Sequence, residues 1–340
     1  MRLLLTIWLF FIVAVISAQS GAVVSSQNKP GDADSAAHFK NELTIYVIPA
    51  LVKYDWTSPQ TLLKSYFRNY KRNLFKKEKY LLGHAFVELR SPLASGRILT
   101  GMSAVSRKEQ KDLAYNQHYG LAMLGADIEG TLETGSDLEP TLEKYSRIGR
   151  LAFMTFFISD EATERLLLFY KSFKEAIDSN NVRGARYSGA FWPRYYGEGS
   201  GCSAFAVSFL DIAGLLREEF EGWKLKIDIP MELIGGPYNN NNHVKLSDIK
   251  KCDSWAGNNE TDTVIYEHLE IYDPTLMYEW TQKMYERQDT LDVMTAIPAQ
   301  LKKARGIRMD GRQVPVPEEE SIFMDRKQPS IFIDYYNKKY

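Results

Sequence analysis

Cys202 follows the run Tyr196-Gly197-Glu198-Gly199-Ser200-Gly201 and opens an apolar stretch, Phe205 to Leu216, that reads as a helix. A helix N-terminus carries unpaired N–H groups and about half a positive charge. A thiol held there is biased toward thiolate, the form that acts as a nucleophile. Upstream, Leu82-Gly83-His84-Ala85-Phe86-Val87-Glu88-Leu89 reads as a strand, and its alternation puts His84, Phe86 and Glu88 on one face. A histidine presented in this way can take the proton of a thiol brought within hydrogen-bond reach. The other cysteine, Cys252, lies in the polar stretch Lys250-Lys251-Cys252-Asp253-Ser254. A Cys202–Cys252 disulfide is the competing structural reading, and it would abolish nucleophilic chemistry at Cys202. His118, His243 and His268 show no metal-ligand spacing with cysteines or carboxylates, so neither a metal nor a cofactor is expected.

Several elements must position the two residues. Leu43 to Leu51 reads as a strand, and Ser58 to Lys79 as a helix with Leu62, Leu63, Tyr66, Phe67, Tyr70 and Leu74 at helical spacing among lysines and arginines. Its basic face reads as solvated rather than as a binding patch. Tyr80 to Arg90 and Arg97 to Val105 read as two strands joined by a turn. Residues 106–146 read as mixed and loop-rich. Arg150 to Ile158 is a buried strand, followed by a helix to Ile177 that Ser159 can cap. Trp223 to Ile229 reads as a strand, Asn239 to Asn242 as a loop, Asp273 to Arg287 as a helix and the tail from Gln313 as extended. No internal repeat is present.

The chain has 340 residues, of which 44% are hydrophobic, enough for one substantial core and a smaller second unit. Its 42 basic and 43 acidic residues nearly cancel, so no global charge attracts nucleic acid. The high aromatic content suits a sugar-, peptide- or lipid-facing cleft, and suits a large core equally well. Arg2, the apolar run Leu3 to Ile16 and the small-residue exit Ser17 to Ala22 form the pattern of a secretory signal, assigned to residues 1–18, with a flexible lead-in over 19–41. The protein is therefore expected to be exported, periplasmic or secreted. No other segment is apolar for long enough to cross a bilayer, so no stable transmembrane anchor is expected. Asn259-Glu260-Thr261 is a glycosylation acceptor triplet.

A Gly-His strand comes first, then a second strand, then an apolar strand followed by a Ser-Asp-Glu-Ala helix. A glycine turn and a Cys-x-x-Phe-Ala helix follow. This order resembles the circularly permuted papain-like members of the NlpC/P60 superfamily, the YiiX-like and lecithin:retinol acyltransferase-like families, over roughly residues 43–235. The resemblance implies an α+β fold, an antiparallel sheet packed on helices over residues 42–235, with a C-terminal extension over 236–340. It implies Cys202 as nucleophile, His84 as base and the Cys202 N–H as oxyanion donor. Tyr196 matches a tyrosine often found before the cysteine and would bind substrate or steady the oxyanion. Thr100 falls at the position of the third residue, which orients the histidine. Glu88, on the same strand face as His84, is its competitor and a further substrate-binding candidate. The implied activity is thiol hydrolysis of an amide bond, with cell-wall peptide as first substrate. Acyl transfer or thioester hydrolysis on lipid or acyl esters is the alternative. A non-catalytic module with bridged cysteines is the rival from another class.

Overall fold

Segments rich in β-branched and aromatic residues alternate here with segments whose apolar residues recur every three or four positions. The structure, a computed structural model, describes residues 40–94, 96–179, 184–257, 264–317 and 319–340. The expected signal segment and the Asn259-Glu260-Thr261 triplet lie outside the described residues. In chain order the elements are β1 (Glu42–Ile48), α1 (Pro59–Lys76), β2 (His84–Arg90), β3 (Ile98–Ala104), α2 (Arg107–Tyr115), β4 (Ile128–Glu133), α3 (Gly135–Ile148) and β5 (Ala152–Phe157). They continue with α4 (Asp160–Asp178), β6 (Arg186–Tyr187), α5 (Cys202–Ile212), β7 (Lys224–Pro230), the single turn α6 (Leu246–Ile249), β8 (Tyr266–Tyr272) and α7 (Pro274–Arg287). The chain closes with β9 (Thr290–Leu291), β10 (Met294–Thr295), β11 (Ile297–Leu301), β12 (Ala304–Asp310) and α8 (Ile331–Lys339).

The architecture is α+β. Eight strands form one mixed, largely antiparallel sheet in the order β11-β12-β5-β1-β2-β3-β4-β6, in which only β12 and β5 pair in parallel. Strand alternation gives this sheet two buried faces. Leu43, Ile45, Ala85, Val87 and Met154 pack with Phe169, Phe205, Phe209 and Met277 from α4, α5 and α7. Tyr46, Ile48, Phe86, Leu99 and Phe153 pack under α3 with Leu138 and Tyr145. A separate cluster joins Leu62 of α1 and Leu113 of α2 to Ile227 and Ile229 of β7, Leu269 of β8 and Phe332 of α8. Among the described residues, no helix is long and apolar enough to cross a membrane.

Three helices start where capping chemistry places them. Ser58 caps α1 by accepting from the Thr61 N–H, Ser159 caps α4 through the Ala162 N–H, and Asp273 caps α7 through the N–H groups of Thr275 and Leu276. Other expectations need correction. Residues 106–146 are not loop-rich but carry α2, β4 and α3. In the β4 sequence Ile-Glu-Gly-Thr-Leu-Glu the buried positions are Ile128, Gly130 and Glu133, which follow no strict alternation and include only one large apolar side chain. The tail from Gln313 ends in α8 rather than staying extended. No packing boundary exists at residue 235. β8 pairs with β7 along its whole length, β12 extends the main sheet, and the described residues all belong to one compact unit.

Candidate active site

His84 begins β2, opposite Ile48 of β1. Gly83 just before it has φ +87°, and a Cβ there would meet the Ile48 carbonyl oxygen at 2.8 Å; only glycine lets the chain turn so tightly into the strand. The Tyr80 ring lies flat on the imidazole, with centroids 3.9 Å apart and planes 5° from parallel. Cys202 is the first residue of α5, after an N-cap glycine, Gly201, that supplies no side-chain cap. The glycine turn is laid on β6: the Ser200 N–H donates to the Arg186 carbonyl, and a Cβ on Gly199 would lie 1.8 Å from that same oxygen. The turn that delivers Cys202 is therefore registered against the strand that carries Tyr187.

These elements bring four side chains together. The Cys202 thiol lies beside the His84 ring, the Tyr187 hydroxyl and the Ala85 backbone N–H, each close enough to act on its charge, and its sulfur is 3.8 Å from Ser203 Oγ. The Tyr187 hydroxyl also lies near the backbone N–H of Cys202. On the other side of the imidazole, Nε2 lies 2.7 Å from Oε2 of Glu133, both groups almost fully buried. The pair is held by charge and proximity rather than by aligned hydrogen-bond geometry. Glu133 is the last residue of β4, and its Oε1 accepts from Lys79 Nζ at 2.8 Å and Tyr80 Oη at 2.9 Å.

The electrostatics follow from these contacts. Burial alone would raise the Cys202 thiol, but the hydrogen bond and charge of His84, with Tyr187 and the Ala85 N–H, bring it down to about 7. Burial alone would lower His84, but the sulfur and the Glu133 carboxylate on its two sides carry it up to about 9. Burial would likewise raise Glu133, yet His84 and Lys79 hold it down at about 2. Tyr187 is pushed well above its ordinary value, first by burial and then by the charge of Cys202. The arrangement favours a thiolate–imidazolium pair with a permanently ionised carboxylate behind it.

The structure thus brings Cys202 and His84 together, as their local settings imply, and places the other candidates elsewhere. Thr100 does not orient His84. Its hydroxyl donates to the backbone carbonyl of Glu133 at 3.0 Å, because β3 sits between β2 and β4 and its side chain meets the latter's main chain. Glu88, four residues further along β2 than His84, is committed to Tyr46, Arg90 and Arg97. Tyr196 is 64% exposed and packs beside Phe323, so Tyr187 occupies the place by the sulfur expected of it. Both cysteines are free, and the Cys252 thiol donates to the Ser254 carbonyl; a bridge to Cys202 is not formed. The sequence reading missed Glu133 and Tyr187. A signal for Glu133 exists in Thr134 and Asp137, whose capping box starts α3 and so marks Glu133 as a strand end. For Tyr187 only its place in the glycine-rich approach to Cys202 offers a hint.

A cavity of about 240 Å³ opens beside the thiol. Tyr187, Cys202 and Ser203 form one side of it, and Tyr54, Trp56, Leu121, Ile128 and Ile271 much of the remainder. Among the described residues no group of three or more His, Cys, Asp or Glu side chains is placed to hold a metal ion. No protein-family model, curated protein or solved structure matches this chain.

Proposed function

We propose that the protein is a thiol-dependent acyl hydrolase or acyltransferase that works through a Cys202 acyl-enzyme. The observation that carries this reading is that His84 lies beside both the Cys202 thiol and the Glu133 carboxylate, with the sulfur on the first residue of a helix and at the wall of a cavity. His84 takes the Sγ proton, and the thiolate forms a C–S bond with the carbonyl carbon of the substrate. In this reading the Cys202 N–H and the Tyr187 hydroxyl are the candidate donors to the oxygen as it becomes negative. Collapse breaks the C–N, C–O or, in a thioester, C–S bond, and His84 passes its proton to the departing nitrogen, oxygen or sulfur. Water or another acceptor, deprotonated by His84, then attacks the thioester and restores the thiol. Glu133 keeps the ring oriented and stabilises its charged form.

The fold reading that accompanies this chemistry is the permuted papain-like core of NlpC/P60 type. It is supported by the histidine strand preceding the cysteine helix and by the antiparallel strands packed on that helix. The third residue then comes from β4 rather than from β3. As an exported protein it would act in the periplasm or outside the cell. An amide bond in cell-wall peptide is one substrate class. The apolar cavity wall favours the other, an ester or thioester of an apolar acyl chain, since a polar peptide would leave its hydrogen-bonding groups unpaired there.

Alkylation by iodoacetamide near neutral pH tests the mechanism. Cys202 should be modified faster than Cys252, and His84→Ala should slow Cys202 at least about tenfold. Modification confined to Cys252 would sink the reading. Comparing medium-chain p-nitrophenyl esters with the acetate, beside cell-wall peptide, chooses the substrate class: the longer ester should be the best of the three.

A further inference from the structure

α1 carries Lys64, Arg68, Lys71, Arg72 and Lys76, with Lys77 at its C-cap, and no acidic residue at all. In a chain whose formal net charge is −1, this is a strong local concentration of one sign. All of these side chains are exposed, and among the described residues none of them makes an ion pair. Across from them, α2 adds exposed Lys108 and Lys111, and the Lys111 Nζ sits 5.6 Å from the Tyr70 ring centroid. A merely solvated face needs no apolar residues, yet this one has them: Leu74 is 58% exposed and Phe75 87% exposed.

The apolar residues are not scattered. Leu63, Tyr66, Phe67, Tyr70 and Leu74 recur every three or four positions and so form one stripe along the helix. Its first three members line the cavity that reaches Cys202, and its last two emerge on the surface. Leu82 and Tyr115 line the same cavity while remaining 48% and 45% exposed, which marks where the cavity opens. One continuous apolar track therefore leads from the thiol to a surface rimmed by cations.

We infer that the rim formed by α1 and α2 seats the protein on an anionic lipid bilayer, with Leu74 and Phe75 entering the interface and the cavity mouth facing the lipid. Positive charge flanking protruding apolar side chains is the combination that interfacial helices use, attraction to anionic headgroups plus burial of apolar area. A soluble polyanion would need the cations and leave the apolar residues in water. The inference goes beyond the chemistry at Cys202 and stands whether or not that thiol is reactive, because it is read by binding alone.

Co-sedimentation of the full chain with vesicles tests it. The apolar run Leu3 to Ile16 is common to parent and variants, so differences between them report on α1. The parent should bind phosphatidylglycerol-containing vesicles at least about tenfold more tightly than pure phosphatidylcholine vesicles, at about fivefold per basic side chain near the surface. Lys71→Glu with Arg72→Glu should lose at least about twentyfold on anionic vesicles. Leu74→Ser with Phe75→Ser should abolish the fraction that stays bound in about 0.5 M salt, where charge is screened within a few ångströms. All four positions are exposed, so melting temperatures should match the parent, and Lys71→Gln with Arg72→Gln serves where the reversal disturbs folding. Equal binding to neutral and anionic vesicles, parent-like binding by the charge variants, or retention on dextran sulfate without vesicle binding would each overturn the proposal.

Discussion

The Cys202 thiol is held at about 7 and the His84 ring at about 9, so between those values the sulfur has lost its proton while the ring keeps one. Activity should therefore rise as pH passes about 7, stay level, and fall as the imidazolium deprotonates near 9, with the two limbs belonging to the coupled pair. A kcat/KM profile on the preferred ester checks this; a rise that continues unbroken above pH 9 would exclude the ion-pair form. Glu133→Gln removes the negative charge 2.7 Å from Nε2. The alkaline limb should then move to lower pH, and kcat/KM should fall by about a hundredfold. Thr100→Val loses only a bond to a backbone carbonyl, so it should cost about 1 kcal/mol of stability and leave both limbs in place. Cys202 and His84 were legible in the sequence because their settings are local, a glycine turn into a helix and a Gly-His strand start. Glu133 was not, because what makes it the third residue is the pairing of β3 with β4, opposite Gly101.

Among the elements, the turn before α5 is the one the site depends on. An alanine at Gly199 would put its Cβ 1.8 Å from the Arg186 carbonyl oxygen, closer than any real contact, so the turn must lift from β6. That movement separates Cys202 from Tyr187 and breaks the Ser200 N–H bond to Arg186. Gly199→Ala should cost about 2–4 kcal/mol by thermal unfolding and slow alkylation of Cys202. Gly222→Ala, where nothing lies within 4 Å of the added Cβ, should stay within about 0.5 kcal/mol of the parent. An equal effect at the two glycines would show that the turn is not what fixes the thiol. Helices α1, α4 and α7 could be read in advance, since each combines a long apolar period with a Ser or Asp cap. β4 could not, because Gly130 gives up its side chain to let β6 approach, where an added Cβ would meet Tyr187 at 3.1 Å, and Glu133 is buried although alternation groups it with the exposed Glu129 and Thr131.

On the scale of the molecule, the segment after residue 235 is part of the folding unit and not an appendage. It supplies β8, the partner of β7, and β12, which covers the open edge of β5. It places Met277, Met284, Ile307 and Met309 in the largest core cluster and Ile249 and Ile271 in the cavity wall. Apart from α7, none of this shows in the local pattern of residues 245–340, because strand pairing between distant segments and single buried side chains leave little periodicity to read. Fully burying one such side chain contributes about 1.5–3 kcal/mol, a large fraction of the roughly 5–15 kcal/mol by which a domain is stable. A chain ending at residue 235 would also expose unpaired edges on β5 and β7, which invite association. It should therefore lack a cooperative thermal transition and accumulate as aggregate, while the full chain unfolds in one step. If the truncated chain instead melts cooperatively and still shows His84-dependent alkylation of Cys202, the C-terminal segment is an appendage after all, and the cavity wall it supplies has no part in holding the site.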